Sequence, residues 1–376
     1  MASLYFDHNA TTPLAPEVAE TYASALREVF GNASSVHATG QLAKRRLEQA
    51  RRTIAEFINS APGELVFTSG GTESNNLAIL GLLHALPKGP KHVVASAVEH
   101  PAVLETVRQL DREGVDVSFA SVGADGIVRT ETIERLMRPE TILVSVMHAN
   151  NEVGTIQPIE EIARLAHDHR AYFHSDGVQA LGKVDVDLRR LGVDLYSMSA
   201  HKVFAPKGVG ALFVRKGVPF RGVQTGGHHE RERRAGTENV PGIIAFAHAL
   251  ELHPHRKDVG SIRDRFEAQT SGEANGDRLR RLPNTSNLLF RGVSGEAMVI
   301  ALDMRGMAAS SGAACSSGSI EPSHVLLAMG RTVTEARSSV RFSFGSANTL
   351  EDADRLSTAV NECVGKLRKE AQLVAV

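Results

Sequence analysis

The sequence predicts an α/β protein, with a large body built on a mostly parallel sheet and a smaller α+β unit after it. Three observations predict this. Short, continuously apolar runs alternate with helical patterns from about residue 64 to 215. That alternation fades after Thr225. The last third then changes texture, with two strand-like runs and a long terminal amphipathic stretch. Strands buried on both faces read as apolar runs, and strand–helix alternation is the mark of βαβ units.

Taken in order, the strand-like runs of the large body are Glu64–Thr68, His92–Ala97, Val115–Ala120, Thr141–Met147, Ala171–His174, Val193–Ser197 and Val209–Val214. Between several of them lie helical segments of the expected spacing. One begins at Ser69-Gly70-Gly71-Thr72 and runs to Leu86. Another begins at Pro158, where a first-turn proline suits a helix, with Ile159, Ile162, Ala163 and Ala166 on one face. A further helix begins near Pro241. Asn287–Phe290 and Val340–Phe344 are expected strands of the smaller unit, and Leu350–Leu373 its final helix. The expected division is residues 15–255 for the large domain, with 1–14 and 256–376 forming the small one. The N-terminal segment is expected to return and pack on the small domain.

Composition narrows the function classes. The 376 residues carry 42 Lys+Arg against 43 Asp+Glu, a net charge of −1, which argues against a polyanion binder or a polybasic membrane-surface protein. Neither a signal peptide nor an apolar run of membrane-spanning length is read, so a cytoplasmic protein without nucleic-acid or membrane partners is expected. Two cysteines, Cys315 and Cys363, exclude a disulfide framework and a cysteine-built zinc site.

Open α/β sheets bind ligands beyond the carboxyl ends of their strands. Five expected strand ends deliver Gly71 and Thr72, then Glu99 and His100, then Asn150, Asn151 and Glu152, then Asp176 and Gln179, then Ser199, His201 and Lys202. Glycines ahead of a helix N-terminus suit a phosphate, although an ordinary turn capped by Thr72 reads the same way. Gly177 to Lys183 nearly spells a P-loop, but Val184 stands where Ser or Thr must bind magnesium. No metal site is expected, since no helix carries a metal-type histidine spacing. Asp176 and Lys202 form the telling pair. An aldehyde cofactor such as pyridoxal phosphate needs an amine to bind it and a carboxylate facing its ring nitrogen.

The same residues carry a resemblance. Tyr5-Phe6-Asp7-His8-Asn9-Ala10-Thr11-Thr12, Ser69 to Asn76, Glu99-His100, Asn150 to Thr155, His174 to Gln179, Ser199-Ala200-His201-Lys202, Arg234 to Thr237 and Ser310 to Cys315 occur in order along nearly the whole chain. Together they resemble the cysteine desulfurases of the NifS/IscS-like class. The resemblance implies a homodimeric fold-type-I pyridoxal phosphate enzyme that converts L-cysteine to L-alanine and leaves sulfur as a persulfide. It implies that Lys202 binds the cofactor aldehyde, Asp176 its ring nitrogen and Gln179 its phenolic oxygen, with His100 stacked on the ring and moving protons. It assigns the phosphate to Gly71, Thr72, Ser199 and His201, joined by Thr237 of the other subunit, and the substrate carboxylate to Asn151 and Arg341.

Under that resemblance the two cysteines separate. Cys363 shares a helical face with Ala353, Leu356, Val360 and Leu367 and is expected to be packing. Cys315 lies in the small-residue stretch Ser310 to Ser319 and becomes the nucleophile, handing sulfur to an acceptor such as an iron–sulfur scaffold, where it would transiently ligate the cluster. The length of its loop favours direct transfer to a protein. An aminotransferase or selenocysteine lyase on the same fold is the nearest rival, and a non-catalytic scaffold-binding subunit the next; the retained Lys202 and Cys315 argue against the latter. The departures from the family pattern are small: Gly177 for Ala, Ala200 and Ala205 for Gly, Ala235 for Ser and Phe344 for Leu.

Overall fold

The computed structural model describes residues 4–253, 259–311 and 321–374. Among them the strands are β1 (Leu4–Tyr5), β2 (Leu65–Thr68), β3 (His92–Ser96), β4 (Asp116–Ala120), β5 (Thr141–Ser145), β6 (Tyr172–Asp176), β7 (Leu195–Ser199), β8 (Gly210–Val214), β9 (Glu273–Ala274), β10 (Thr285–Leu289), β11 (Met307–Ala308) and β12 (Ser339–Ser343). Strands β2 to β8 form one sheet in the order β2-β8-β7-β6-β5-β3-β4. Its centre and one side are parallel, and β8 alone runs against its neighbours β7 and β2. The sheet is thus mostly parallel, as the apolar runs predict.

Successive residues of a strand face opposite sides of a sheet. Val93 and Leu143 therefore pack on one side, with Leu77, Leu82, Val103 and Val107 of the helices Gly71–Ala85 and Pro101–Arg112. Val94 and Val144 pack on the other, with Ile54, Ile162 and Ile244 of the helices Ala38–Phe57, Ile159–Asp168 and Val240–Glu251. Helices cover both faces, which is why these strands lack polar alternation. Strand β4 lies at an edge and is the most exposed of the seven.

A third apolar cluster gathers Phe6, Phe266, Phe290, Phe342, Phe344, Leu356, Val360 and Cys363. Its sheet has the order β12-β10-β9, antiparallel throughout. The final helix, Leu350–Val374, lays Ala353, Leu356, Val360 and Cys363 on it at the expected spacing. Cys363 is buried there, and burial pushes its thiol up. The N-terminal segment does return to this cluster. Strand β1 pairs in parallel with β11, and Asp7 bridges to Ser343.

Two expectations shift in detail. Asp176 and Ser199 are the last residues of β6 and β7 rather than the first beyond them. The N-cap of the helix Gly71–Ala85 is Gly70, not Thr72, and no side chain caps it.

Candidate active site

The parallel strands end on one edge of the sheet, and a pocket of about 250 Å³ lies there. Ten residues singled out in the sequence line it: Gly71, Thr72, His100, Asn151, Asp176, Gln179, Ser199, His201, Lys202 and Arg341. They come from five strand ends and from β12, so the pocket joins the large sheet to the smaller one.

Asp176 is buried at the end of β6. Its Oδ1 accepts from the Val178 N–H at 2.9 Å and its Oδ2 from Asn75 Nδ2 at 2.7 Å. Asn75 sits one turn beyond Gly71 on the same helix, which aims it at the pocket. Residue 177 must be glycine in this surrounding. A Cβ there would lie 1.9 Å from the Tyr196 ring. Tyr196 fills the space that a larger residue 177 would take, and its hydroxyl meets His148 Nδ1 at 2.8 Å. The His148 N–H in turn donates to the Asp176 carbonyl at 2.9 Å. The departure from Ala at this position is thus matched by a tyrosine on the neighbouring strand.

Lys202 closes the short turn Ala200–Lys202 that follows β7. Its Nζ donates to the carbonyls of Asn9 and Ala10, both at 2.6 Å. His201 Nδ1 lies 3.1 Å from Thr11 Oγ1, and burial, followed by the charges of Lys202, Lys207 and Lys183, lowers its pKa to about 4. The first-turn N–H groups of the helix Gly71–Ala85 carry no side-chain cap, and Gly70 reaches them with φ +155°, which L side chains rarely adopt. Uncapped N–H groups at a helix start form an anion seat. The buried Ser199 Oγ, also on the pocket wall, has no hydrogen-bond partner among the described residues.

His100 is the N-cap of the helix Pro101–Arg112, where its Nδ1 accepts from the Ala102 N–H at 3.1 Å. The neutral ring therefore carries its hydrogen on Nε2. Burial lowers its pKa; Asp176 opposes the shift, while Lys202 and His324 add to it. Glu99 beside it is buried, with Oε1 accepting from Ser96 Oγ at 2.5 Å and the Met147 N–H at 2.7 Å. Burial raises its pKa to about 8, so it holds its proton at neutrality.

Arg341, on β12, is 2% exposed. Its Nη2 meets Asp7 Oδ1 at 2.7 Å and its Nη1 donates to the Asn151 carbonyl at 3.1 Å, while Nε has no partner among the described residues. A guanidinium held on one side with a donor left over on a pocket wall suits a ligand carboxylate.

Two expected residues stand apart. Cys315 lies outside the described residues. The described residues flanking its segment are both tied to the site: Ser310 exchanges two backbone hydrogen bonds with Arg341, and His324 Nε2 meets the Glu99 carbonyl at 2.9 Å. Ser323 also donates to the buried Glu152 carboxylate at 2.5 Å. Thr237 is exposed and does not line the pocket. Its segment is held through Arg234, which meets Glu73 at 2.7 Å. His174, on β6, has Ser145 and Ser197 hydroxyls on its two ring nitrogens.

Sequence reasoning assigned no role to Asn75, Asn9 or Glu152. The helical step from Gly71 to Asn75 was a usable signal for the first. Nothing local marks Asn9, whose side chain joins Asn151, Thr285, Asn284 and Lys183.

This geometry has known counterparts. The aminotransferase class-V family matches residues 4–356. The chain belongs to that family. It is 43% identical over 375 residues to the cysteine desulfurase IscS of Dictyoglomus turgidum, covering 97% of this chain and 95% of that one. It is 45% identical over 381 residues to a cysteine desulfurase of Gluconacetobacter diazotrophicus, covering 98% and 95%. Among solved structures it is similar to a NifS-like protein, with a TM-score of 0.91 and 35% identity over 97% of this chain and 100% of that one. A structure of SspA in complex with cysteine matches with a TM-score of 0.84 and 34% identity, covering 92% and 100%. The fold is that of the fold-type-I pyridoxal-phosphate enzymes, and class-V members of this kind depend on that cofactor. The residues present fit it, with an uncapped helix start and an unpartnered serine for a phosphate, a buried carboxylate and a lysine amine.

Proposed function

We propose that this protein is a cysteine desulfurase using pyridoxal 5'-phosphate. It converts L-cysteine to L-alanine and takes the sulfur onto Cys315 as a persulfide, for iron–sulfur cluster assembly or another sulfur-transfer pathway. The observation that carries this reading is that Lys202, Asp176 and Arg341 meet around one small pocket. An amine for an aldehyde, a carboxylate for a ring nitrogen and a guanidinium for a substrate carboxylate are what the reaction requires.

When bound, the cofactor supplies an electron sink for charge developing at the substrate's α carbon. The chain's own residues do the rest. Gly71, Thr72, Ser199 and His201 hold the phosphate, with Thr237 of a second subunit, which makes the working form a homodimer. Lys202 holds the aldehyde carbon. Asp176, kept in place by Asn75 and the Val178 N–H, holds a proton on the ring nitrogen. Gln179 bonds the phenolic oxygen. Arg341 and Asn151 orient the substrate carboxylate. His100 would pack against the cofactor ring and move protons through Nε2, since Nδ1 is occupied by the backbone. Cys315 attacks the substrate sulfur as a thiolate; the carbon–sulfur bond breaks, a sulfur–sulfur bond forms, and the carbon skeleton takes up a proton to become alanine. The persulfide then passes to an acceptor such as an iron–sulfur scaffold protein.

In this reading residues 15–255 are the cofactor domain, and 1–14 with 256–376 the smaller domain that carries the cysteine loop. The cluster of Phe6 with Phe342 and Phe344 supports the return of the N-terminus to it. The protein is read as cytoplasmic. No described helix is long and apolar enough to cross a membrane. The test is to assay alanine and sulfide from L-cysteine, with and without a keto acid. Alanine formed without keto acid supports desulfuration, and a strict keto-acid requirement would turn the reading into an aminotransferase.

A further inference from the structure

The turn that carries Lys202 leads straight into a backbone conformation that its sequence does not favour. Phe204, two residues on, has φ +66°. That is the left-handed region, which glycine takes freely and a bulky side chain does not. The amides on either side of Phe204 bond as a tight turn expects. Those of Val203 and Ala205 donate to the Ala200 carbonyl at 3.0 and 3.3 Å. The Phe204 N–H points elsewhere and donates to Thr12 Oγ1 at 2.7 Å.

Thr12 lies in the N-terminal segment, 192 positions before Phe204, and is 7% exposed. Its N–H and its Oγ1 both donate to the His201 carbonyl, at 2.9 and 3.0 Å. A threonine hydroxyl has one proton and two lone pairs, so it can donate to His201 and accept from Phe204 at once. One side-chain oxygen therefore spans Lys202, joined to the residue before it and to the second residue after it. The neighbours of Thr12 press on the same turn. The Ala15 N–H donates to the Phe204 carbonyl at 3.1 Å, and Thr11 Oγ1 meets His201 Nδ1 at 3.1 Å.

We propose that Thr12 is a positioning residue for Lys202: its hydroxyl brackets the lysine turn from outside, holds Phe204 left-handed, and so fixes the point from which the Lys202 side chain reaches the cofactor aldehyde. A lysine stem is flexible, so its amine is only as well placed as the backbone that carries it. Small misplacements of a reacting group have large effects. Without the hydroxyl the Phe204 N–H loses its acceptor, and one of the bonds that offset the left-handed backbone is gone. Residue 204 then relaxes toward negative φ and carries the lysine turn with it.

The test compares two ligands on the full chain freed of cofactor, by titration calorimetry. With pyridoxal 5'-phosphate the Lys202 nitrogen joins the aldehyde carbon and one water leaves. Pyridoxine 5'-phosphate has a hydroxymethyl group in place of the aldehyde and cannot make that bond. Thr12→Val should weaken the aldehyde ligand about tenfold, the size of one lost hydrogen bond, and the alcohol by less than about twofold. Thr12→Ser keeps the hydroxyl and should match wild type for both. In a Phe204→Gly protein, where left-handed backbone carries no penalty, adding Thr12→Val should weaken the aldehyde ligand less than about threefold. Equal weakening of both ligands overturns the proposal, as does a folded Thr12→Val protein that binds both as wild type does. An undiminished loss on the glycine background overturns it too. Thr12→Ala makes the same comparisons where the valine variant does not fold. The proposal rests on Lys202 being the lysine that binds the aldehyde, which borohydride reduction of the wild-type holoenzyme and mass spectrometry of its peptides test separately. Cofactor trapped on another lysine sinks the role of Lys202, whereas cofactor on Lys202 with no selective loss in Thr12→Val sinks only that of Thr12.

Discussion

Removing the Glu230 carboxylate should unfold this protein far more easily than removing any ordinary surface charge. Glu230 is 7% exposed and Arg51 2%. Their two contacts measure 2.6 and 2.9 Å, and Glu230 Oε2 also accepts from the Phe67 N–H at 2.8 Å. The guanidinium lies 4.5 Å over the Phe67 ring. The pair pins a turn in which Glu230, Arg231 and Glu232 have φ of +45°, +58° and +65°. Left-handed backbone costs an L residue about 1–2 kcal/mol, so the turn needs such an anchor. Breaking a buried pair from one side costs about 3–5 kcal/mol, because the other charge stays buried. Arg51 keeps Glu48 at 3.1 Å and the Leu65 carbonyl, which holds the loss to the lower part of that range. The orphaned Phe67 N–H adds about 1 kcal/mol. Glu230→Ala should therefore lose about 4 kcal/mol. Urea unfolding followed by far-ultraviolet circular dichroism measures it, since the chain has no tryptophan. Glu48→Ala, whose carboxylate is 35% exposed, is the control and should lose at most about 1 kcal/mol. The reasoning fails if Glu230→Ala stays within about 1 kcal/mol of wild type.

Four further outcomes follow from the site. Cys315→Ala should release no alanine in a single turnover, and alanine at the wild-type rate would remove the nucleophile from the scheme. Arg341→Lys should raise KM for cysteine about tenfold or more, with kcat moving less, because a charge-assisted bond to the carboxylate is worth about 1.5–3 kcal/mol; steady-state kinetics decide it. Gly177→Ala should destabilise the protein, since the new Cβ meets the Tyr196 ring; adding Tyr196→Leu should recover stability, and thermal melts of the single and double variants would show whether it does. Glu99 has its folded pKa raised from 4.5 to about 8, mainly by burial. Its contribution is then fully present below the unfolded value and is lost as pH climbs through about 8. Glu99→Gln should flatten that loss, and equal pH slopes in wild type and variant would contradict the protonated carboxyl.

The strand bodies were legible because burial on both faces leaves an apolar run that needs no context to read. Strands of two residues, such as β1, β9 and β11, carry no pattern and exist only through their partners. The pocket's wall was legible to the extent that strand ends gather on one sheet edge, which brought Asp176, Ser199, His201 and Lys202 into view together. Lys183 was visible only as the lysine of a failed P-loop. Its place beside the pocket comes from its hydrogen bond to Asn9, 174 positions away in the chain. Thr237 is a residue that the motif names but the single chain leaves outside the pocket wall.

By itself, the sequence determined the sheet, the helices that cover it and the types of group delivered to its edge, because periodicity and strand ends are local properties. Tertiary structure alone decided which groups share a hydrogen-bond network. Asn9 meets Lys202 and Lys183, and Arg341 meets Asp7, only once β12 and the N-terminus close over the sheet edge, and Tyr196 occupies the room left by Gly177 only once β6 and β7 pair. Burial then acts on whatever has been brought together. It makes Glu99 hold a proton and His100 lose one, and neither effect exists in an extended chain.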